Sequence, residues 1–245
     1  MRHDGEVAIS ALHGAAGAGL RGSRARAIYG ALLEAILANR LSPLTRLPED
    51  DLGGIYGASR TIVRSALEAL ARDGVLVIEP NRGAFVASPG VAEAREVFDA
   101  RLLIEPRLPP PPPPPAGEAE AGRLAAHLDE ERSAVADQRQ QHAILLSGRF
   151  HVLVAEIAGQ GTLARFVREL VSRSSLIVAL YWRQKEATCS CHAHEDIARA
   201  LGAGDGERAA ALMAEHLAET LAGLDLTETR KNSFDLAAAL GGKAG

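Results

Sequence analysis

Two arginines one helical turn apart, Arg60 and Arg64, carry the clearest chemistry in this chain, together with three widely separated histidines, His151, His194 and His216. A guanidinium presents a planar fork of donors suited to paired acceptors. An imidazole changes charge near neutral pH and is the commonest metal ligand among side chains. Cys189, Cys191, His192 and His194 form a local Cys-x-Cys-His-x-His group. Such a group can hold zinc or sense oxidation, but its spacing is not that of a zinc finger and no second ligand pair accompanies it. Each feature also has a plain reading: solvated arginines on a surface helix, satisfied histidines in a bundle, and ordinary thiols near a helix start. The elements that position these residues decide between the two.

The first half of the chain predicts short elements in close succession. Residues 1–20 are rich in Ala and Gly and read as a flexible tail. From Arg24 to Leu37, Ile28, Ala31, Leu32, Ala35 and Ile36 fall at helical spacing. The Leu41-Ser-Pro-Leu-Thr stretch breaks that helix. Glu49 to Tyr56 makes a second helix, and Ser59 is placed to cap a third from Arg60 to Asp73. Ile62, Val63, Ala66, Leu67 and Leu70 form its expected buried face. Val75–Glu79, the turn Pro80-Asn-Arg-Gly83 and Ala84–Ala87 read as a hairpin. Three helices and a hairpin over residues 21–88 is a winged helix-turn-helix plan.

Residues 89–232 predict helices only. One continues through Arg101 to Glu105, and others cover Glu118–Ala136, Gln141–Ala158, Leu163–Tyr181, His194–Ala203 and Gly206–Leu224. Seven consecutive prolines, Pro109 to Pro115, cannot be α-helical and interrupt this region. The run is expected either to bulge out of the bundle or to damage the helix that carries Arg101. Residues 233–245 read as a second flexible tail. The fold class is therefore mainly α: a winged helix-turn-helix, then an all-helical bundle. A 47% hydrophobic chain of 245 residues can bury such a core, and with 4% aromatics that core rests on Ala, Leu, Val and Ile. Two cysteines are too few for a disulfide framework, and no apolar run is long enough to span a membrane. A cytoplasmic protein is expected. The net charge of −4 speaks against nucleic acid until it is divided: residues 21–88 carry nine Arg against seven acids, and the excess acid lies beyond them.

Arg46-Leu-Pro-Glu49, Gly57-Ala-Ser-Arg-Thr-Ile-Val-Arg64, Ala66-Leu-Glu-Ala-Leu70, Gly74 and Pro80-Asn-Arg-Gly-Ala-Phe-Val86 stand in an order and spacing that resembles the GntR family of bacterial transcription regulators. Arg101–Glu105, Phe150-His151 with Ala158-Gly159, His194-Glu-Asp-Ile197, Gly204-Asp205 and Ala211–Leu217 resemble the helical effector domain of its FadR-type (FCD) branch.

The resemblance implies a third helix in the major groove, with Arg60 and Arg64 on base edges and Ser59 and Thr61 at phosphates. Asn81, Arg82 and Gly83 form the wing tip, and Arg46 adds a further contact. Many relatives carry an arginine where this chain has Asp50, and an acid there repels phosphate. In the FCD branch the positions of His151, His194 and His216 bind a divalent metal with an acid one turn before the first histidine. That position is Ser147 here, so less negative charge is expected. Three imidazoles still suit Zn²⁺, Ni²⁺ or Mn²⁺, with open positions for an organic acid that Arg101 and Ser147 would meet.

The leading expectation is a dimeric, ligand-responsive regulator of operator DNA, more often a repressor, and not an enzyme. The alternatives are a regulator with a metal-free or unresponsive effector domain, and a metal-dependent hydrolase. The hydrolase would need Glu195 or Glu215 as base, yet each points about 100° away from its neighbouring histidine on a helix.

Overall fold

A computed structural model describes residues 20, 22–108, 118–182 and 189–227. The expected tails, apart from Leu20, and the proline run lie outside these residues. The chain divides into two compact units, the first reaching Gly90 and the second running from Val91 to Leu226.

In the first unit, α1 (Ser23–Leu37) buries Ile28, Leu32 and Ile36. Leu20, assigned by composition to the tail, is also buried. After α1, Leu41 packs inward and a two-residue strand, β1 (Arg46–Leu47), precedes α2 (Glu49–Tyr56). Three acids in the first turn of α2, Glu49, Asp50 and Asp51, favour its positive dipole end. Gly57 ends α2 in the left-handed region at φ 56°, which glycine enters at little cost, and this sharp turn leads into α3 (Arg60–Arg72).

Val63, Ala66, Leu67 and Leu70 of α3 are buried, whereas Ile62 is only half-buried, one step further round the helix than expected. The buried Tyr29 hydroxyl donates to Asp73 Oδ2 at 2.6 Å and ties α1 to the end of α3. β2 (Leu76–Glu79) and β3 (Gly83–Val86) form the expected hairpin. β1 pairs antiparallel with the other edge of β3, Arg46 opposite Phe85, so the sheet has three strands in the order β1-β3-β2.

The second unit is helical: α4 (Val91–Ile104), a 3₁₀ turn (Glu105–Arg107), α5 (Glu118–Ala136), α6 (Gln140–Ile157), α7 (Gly161–Tyr181), α8 (Cys189–Gly202) and α9 (Gly206–Ala222). Leu124, Leu128, Phe150, Leu153, Ile197, Met213 and Leu217 make its main core. Phe98 and Ile177 centre a second cluster. Asp205 caps α9 by accepting from the Arg208 amide. The helix that carries Arg101 is undamaged. It closes through the 3₁₀ turn onto the buried Leu108, whose carbonyl accepts from Gln160 Nε2 at 3.0 Å.

Candidate DNA-reading surface and metal centre

All eight residues singled out for DNA in the first unit are exposed: Arg46, Ser59, Arg60, Thr61, Arg64, Asn81, Arg82 and Gly83. Ser59 has the extended backbone of a helix cap and its carbonyl starts α3, but its hydroxyl makes no capping bond, contrary to the sequence expectation. At the wing, Asn81 (φ 62°) and Gly83 (φ 97°) hold left-handed backbone that reverses the chain between β2 and β3. Arg46 Nε donates to the Arg82 carbonyl at 3.1 Å, so β1 fastens the wing tip. The Arg82 guanidinium lies over the Phe85 ring at 5.3 Å and pairs with Glu79.

The acids of α2 are bonded to α3. Arg64 donates through Nε and Nη2 to the two oxygens of Glu49, both at 2.8 Å. Arg60 approaches Asp50 in the same way, its Nη2 2.9 Å from Oδ2 and its Nε on Oδ1. Asp50, expected to differ here from an arginine common among relatives, is therefore joined to α3. Glu49 is held below the ordinary carboxylate range by its hydrogen bond to Arg64, against a small opposing effect of burial.

In the second unit, α6, α8 and α9 bring His151, His194 and His216 together, all buried. One ring nitrogen from each lies within 4.8 Å of the others. His194 Nε2 and His216 Nε2 face each other at 3.1 Å. The Nδ1 atoms of two of these rings meet carboxylates. His194 Nδ1 is 2.9 Å from Glu131, and His151 Nδ1 is 2.6 Å from Glu105. Both glutamates are fully buried.

Neither glutamate was expected. The deficit of negative charge inferred from Ser147 is met by acids elsewhere, one on α5 and one on the 3₁₀ turn. Burial alone would raise the Glu105 carboxyl, but the Arg101 charge first, and then its contact with His151, bring it down to about 2. Burial pushes His151 down to about 4 and His216 well below its ordinary value. In both cases burial favours the neutral imidazole, the form that binds metal.

One pair of these donors has the spacing that a divalent ion needs. Imidazole–metal bonds of about 2.0–2.1 Å place neighbouring nitrogens roughly 3.0–3.4 Å apart, and the His194–His216 spacing lies in that range. With Nδ1 of His194 bonded to Glu131, its Nε2 is the atom left to bind, the usual support of a metal-binding histidine, whereas His151 Nδ1 lies close to Glu105 but lacks the geometry of a hydrogen bond.

His151 and His216, but not His194, border a cavity of 380 Å³, also lined by Arg101, Ile144, Ser147, Ser174, Val178, Trp182 and Thr220. Ser147 is half-buried at its wall. Arg101 lines the cavity but is not a free fork. Its Nε donates to Glu105 at 2.6 Å and its Nη1 to Ser174 Oγ at 2.9 Å.

The other candidates do not join this centre. Helix α8 begins five residues earlier than expected, which places Cys191 inside the bundle. Burial first, then Glu131 and Glu195, pushes its thiol up to about 11, the wrong direction for a thiolate. The Cys189 side chain lies outside those described. His192 is exposed toward Glu195, which also meets Arg132 at 3.3 Å, and Glu215 is exposed. No base for a metal hydrolase is found in either glutamate.

A winged helix and a helical bundle with a buried histidine trio define a two-part class of transcription regulator. Residues 24–86 match bacterial regulatory proteins of the gntR family, and residues 96–219 match the FCD domain. The chain belongs to the GntR family, in its FCD branch, and is a DNA-binding transcription regulator rather than an enzyme. The HTH-type transcriptional repressor RspR of Escherichia coli K12 is 25% identical over 193 residues, covering 78% of this chain and 85% of the relative. An HTH-type transcriptional regulator in an unstable DNA locus of Streptomyces ambofaciens is 28% identical over 201 residues, covering 78% and 81%.

Among solved structures, a GntR regulator from Rhodococcus sp. RHA1 shares the fold at TM-score 0.66 and 24% identity, over 82% of this chain and 97% of the other. E. coli McbR/YncC does so at 0.68 and 19%, over the same shares. No helix among the described residues is long and apolar enough to cross a membrane.

Proposed function

We propose that this chain is a homodimeric repressor whose helical unit senses a small organic acid through a divalent metal, zinc, nickel or manganese. The observation that carries the reading is the histidine trio, buried, with Glu131 bonded to His194 and Glu105 beside His151, and with His151 and His216 at the wall of a 380 Å³ cavity. His151, His194 and His216 would hold the ion, which supplies a positive charge and open positions for a carboxylate. Ser147, small and neutral, leaves room beside it. Ser174 and Thr220 offer hydroxyls, while Ile144, Val178 and Trp182 accept an apolar body. Arg101, shared with Glu105, orients the wall of the cavity rather than clamping the acid alone. Two copies of α3 related by a twofold axis would read an inverted repeat through Arg60 and Arg64. The name of the repressor RspR supports the sign of regulation. An effector acts only if it binds one arrangement of the dimer better than the other.

Metal analysis of protein grown with zinc, nickel and manganese tests the reading. About one ion per chain is expected, lost in His151→Ala and His216→Ala. A thermal-shift screen of organic acids should find hits that require the ion. Metal-free protein that still responds to acids would replace the metal with direct histidine contacts. Protein with neither ion nor response would overturn the sensing role.

A further inference from the structure

The two arginines of α3 are gripped by the same edge. A guanidinium has a side-on edge, Nε with Nη2, and an end-on edge, Nη1 with Nη2. Glu49 takes the side-on edge of Arg64 with both its oxygens, and Asp50 takes that of Arg60. In each case Nη1, and with it the end-on edge, is left outside the pair. Either edge offers two parallel N–H groups that suit guanine O6 and N7, and with the side-on edge taken it is the end-on edge that remains for them. Both carboxylates come from the first turn of α2, where the helix dipole favours an acid and a phosphate would otherwise be welcome.

We infer that Glu49 and Asp50 are positioning residues for sequence recognition, holding Arg64 and Arg60 side-on so that their end-on edges meet guanine, while their charges turn phosphate away. This rests on the reading of α3 as the helix that contacts bases. A free arginine binds any phosphate it reaches, which adds affinity at every sequence alike. An arginine already bonded to a carboxylate has one edge committed, its rotamer limited and its net charge cancelled. What it gains on DNA must come from a paired acceptor in the right place. The acids therefore subtract from binding at random sequence and spare binding at a site with correctly placed guanines. Asp50 reverses the charge that many relatives carry, and the structure gives that reversal a partner.

Selection of duplexes from a randomised library by the wild-type chain supplies the probe, one selected duplex and one shuffled duplex of equal length. Anisotropy titrations then compare wild type with Glu49→Gln, Asp50→Asn and Asp51→Asn. Asp51 lies on the same turn but outside both ion pairs, so Asp51→Asn removes an equal charge without releasing an arginine.

All three variants should bind the shuffled duplex more tightly. Only Glu49→Gln and Asp50→Asn should lower the ratio of selected to shuffled affinity, by about tenfold each, with the loss confined to separate guanine positions. Melting temperatures matching wild type keep a folding defect from imitating the result. If Glu49→Gln and Asp50→Asn keep the ratio as Asp51→Asn does, positioning is overturned, and the acids act by charge alone. If Arg60→Ala and Arg64→Ala leave the wild-type preference intact, the base-reading role of α3 falls, and the inference with it.

Discussion

The same pair of chemical groups serves the two units in opposite settings. Arg60 and Arg64 hold carboxylates by the Nε–Nη2 edge at the surface, with side chains 72% and 60% exposed. Arg101 holds Glu105 by the same edge in the interior, at 5% and 0% exposure. An exposed pair is worth about 0–1 kcal/mol, because water and salt compete for both charges. A buried pair, once one partner is removed, leaves a stranded charge that costs about 3–5 kcal/mol. In the first unit the pair is cheap to trade for another acceptor, as the proposed reading of bases requires. In the second it fixes the wall of a cavity.

The largest effect expected to test this contrast is that of Glu105→Ala. It strands Arg101 in the interior and should lower stability by about 3–5 kcal/mol, read as the urea midpoint. A loss no greater than that of an exposed pair would erase the distinction between the units. Next, Glu131→Gln removes the carboxylate behind His194, and zinc affinity should drop about tenfold to a hundredfold by competition titration. Unchanged affinity would mean that packing against Phe150, stacked on the ring at 4.1 Å, is what orients His194.

Between the extremes lies Glu156, 27% exposed, which meets Arg149, Arg168 and Arg123. These arginines hold its carboxyl below the ordinary value of 4.5 despite burial that would raise it. A depressed carboxyl stabilises the fold above its unfolded value and loses that contribution as pH falls through the folded one. Glu156→Gln should therefore cost about 1–2 kcal/mol at neutral pH, and melts should show the difference shrinking below about pH 4.5. A difference constant with pH would assign the cost to shape rather than charge. The smallest stability effect belongs to Arg64→Ala, below about 1 kcal/mol, although gel shifts should show its sequence preference lost.

The same contrast explains what could be read in advance. Periodicity revealed the helices to within a few residues, because each must bury a stripe. It missed β1, since two residues carry no period, and the start of α8, where Cys, Ser and His form no apolar stripe. The histidine trio was legible through family register alone, as its members stand 43 and 22 residues apart.

Glu105 sits four residues after Arg101, and that spacing was a usable signal for their pairing. Glu131 offered none: its partner is 63 residues away, and an acid on a predicted helix is usually solvated. The charge of Asp50 was legible, and so was its repulsion of phosphate. Its partner was not, because the turn at Gly57 decides which side chains of α2 and α3 come within reach.

An arginine that already carries its own carboxylate gives DNA little reason to shed counterions. The logarithm of affinity falls with the logarithm of salt by roughly 0.9 for each phosphate neutralised. A reading surface whose cations come pre-neutralised has a shallow slope. On the proposed reading of α3, binding would thus weaken less with added salt than binding through unpaired arginines.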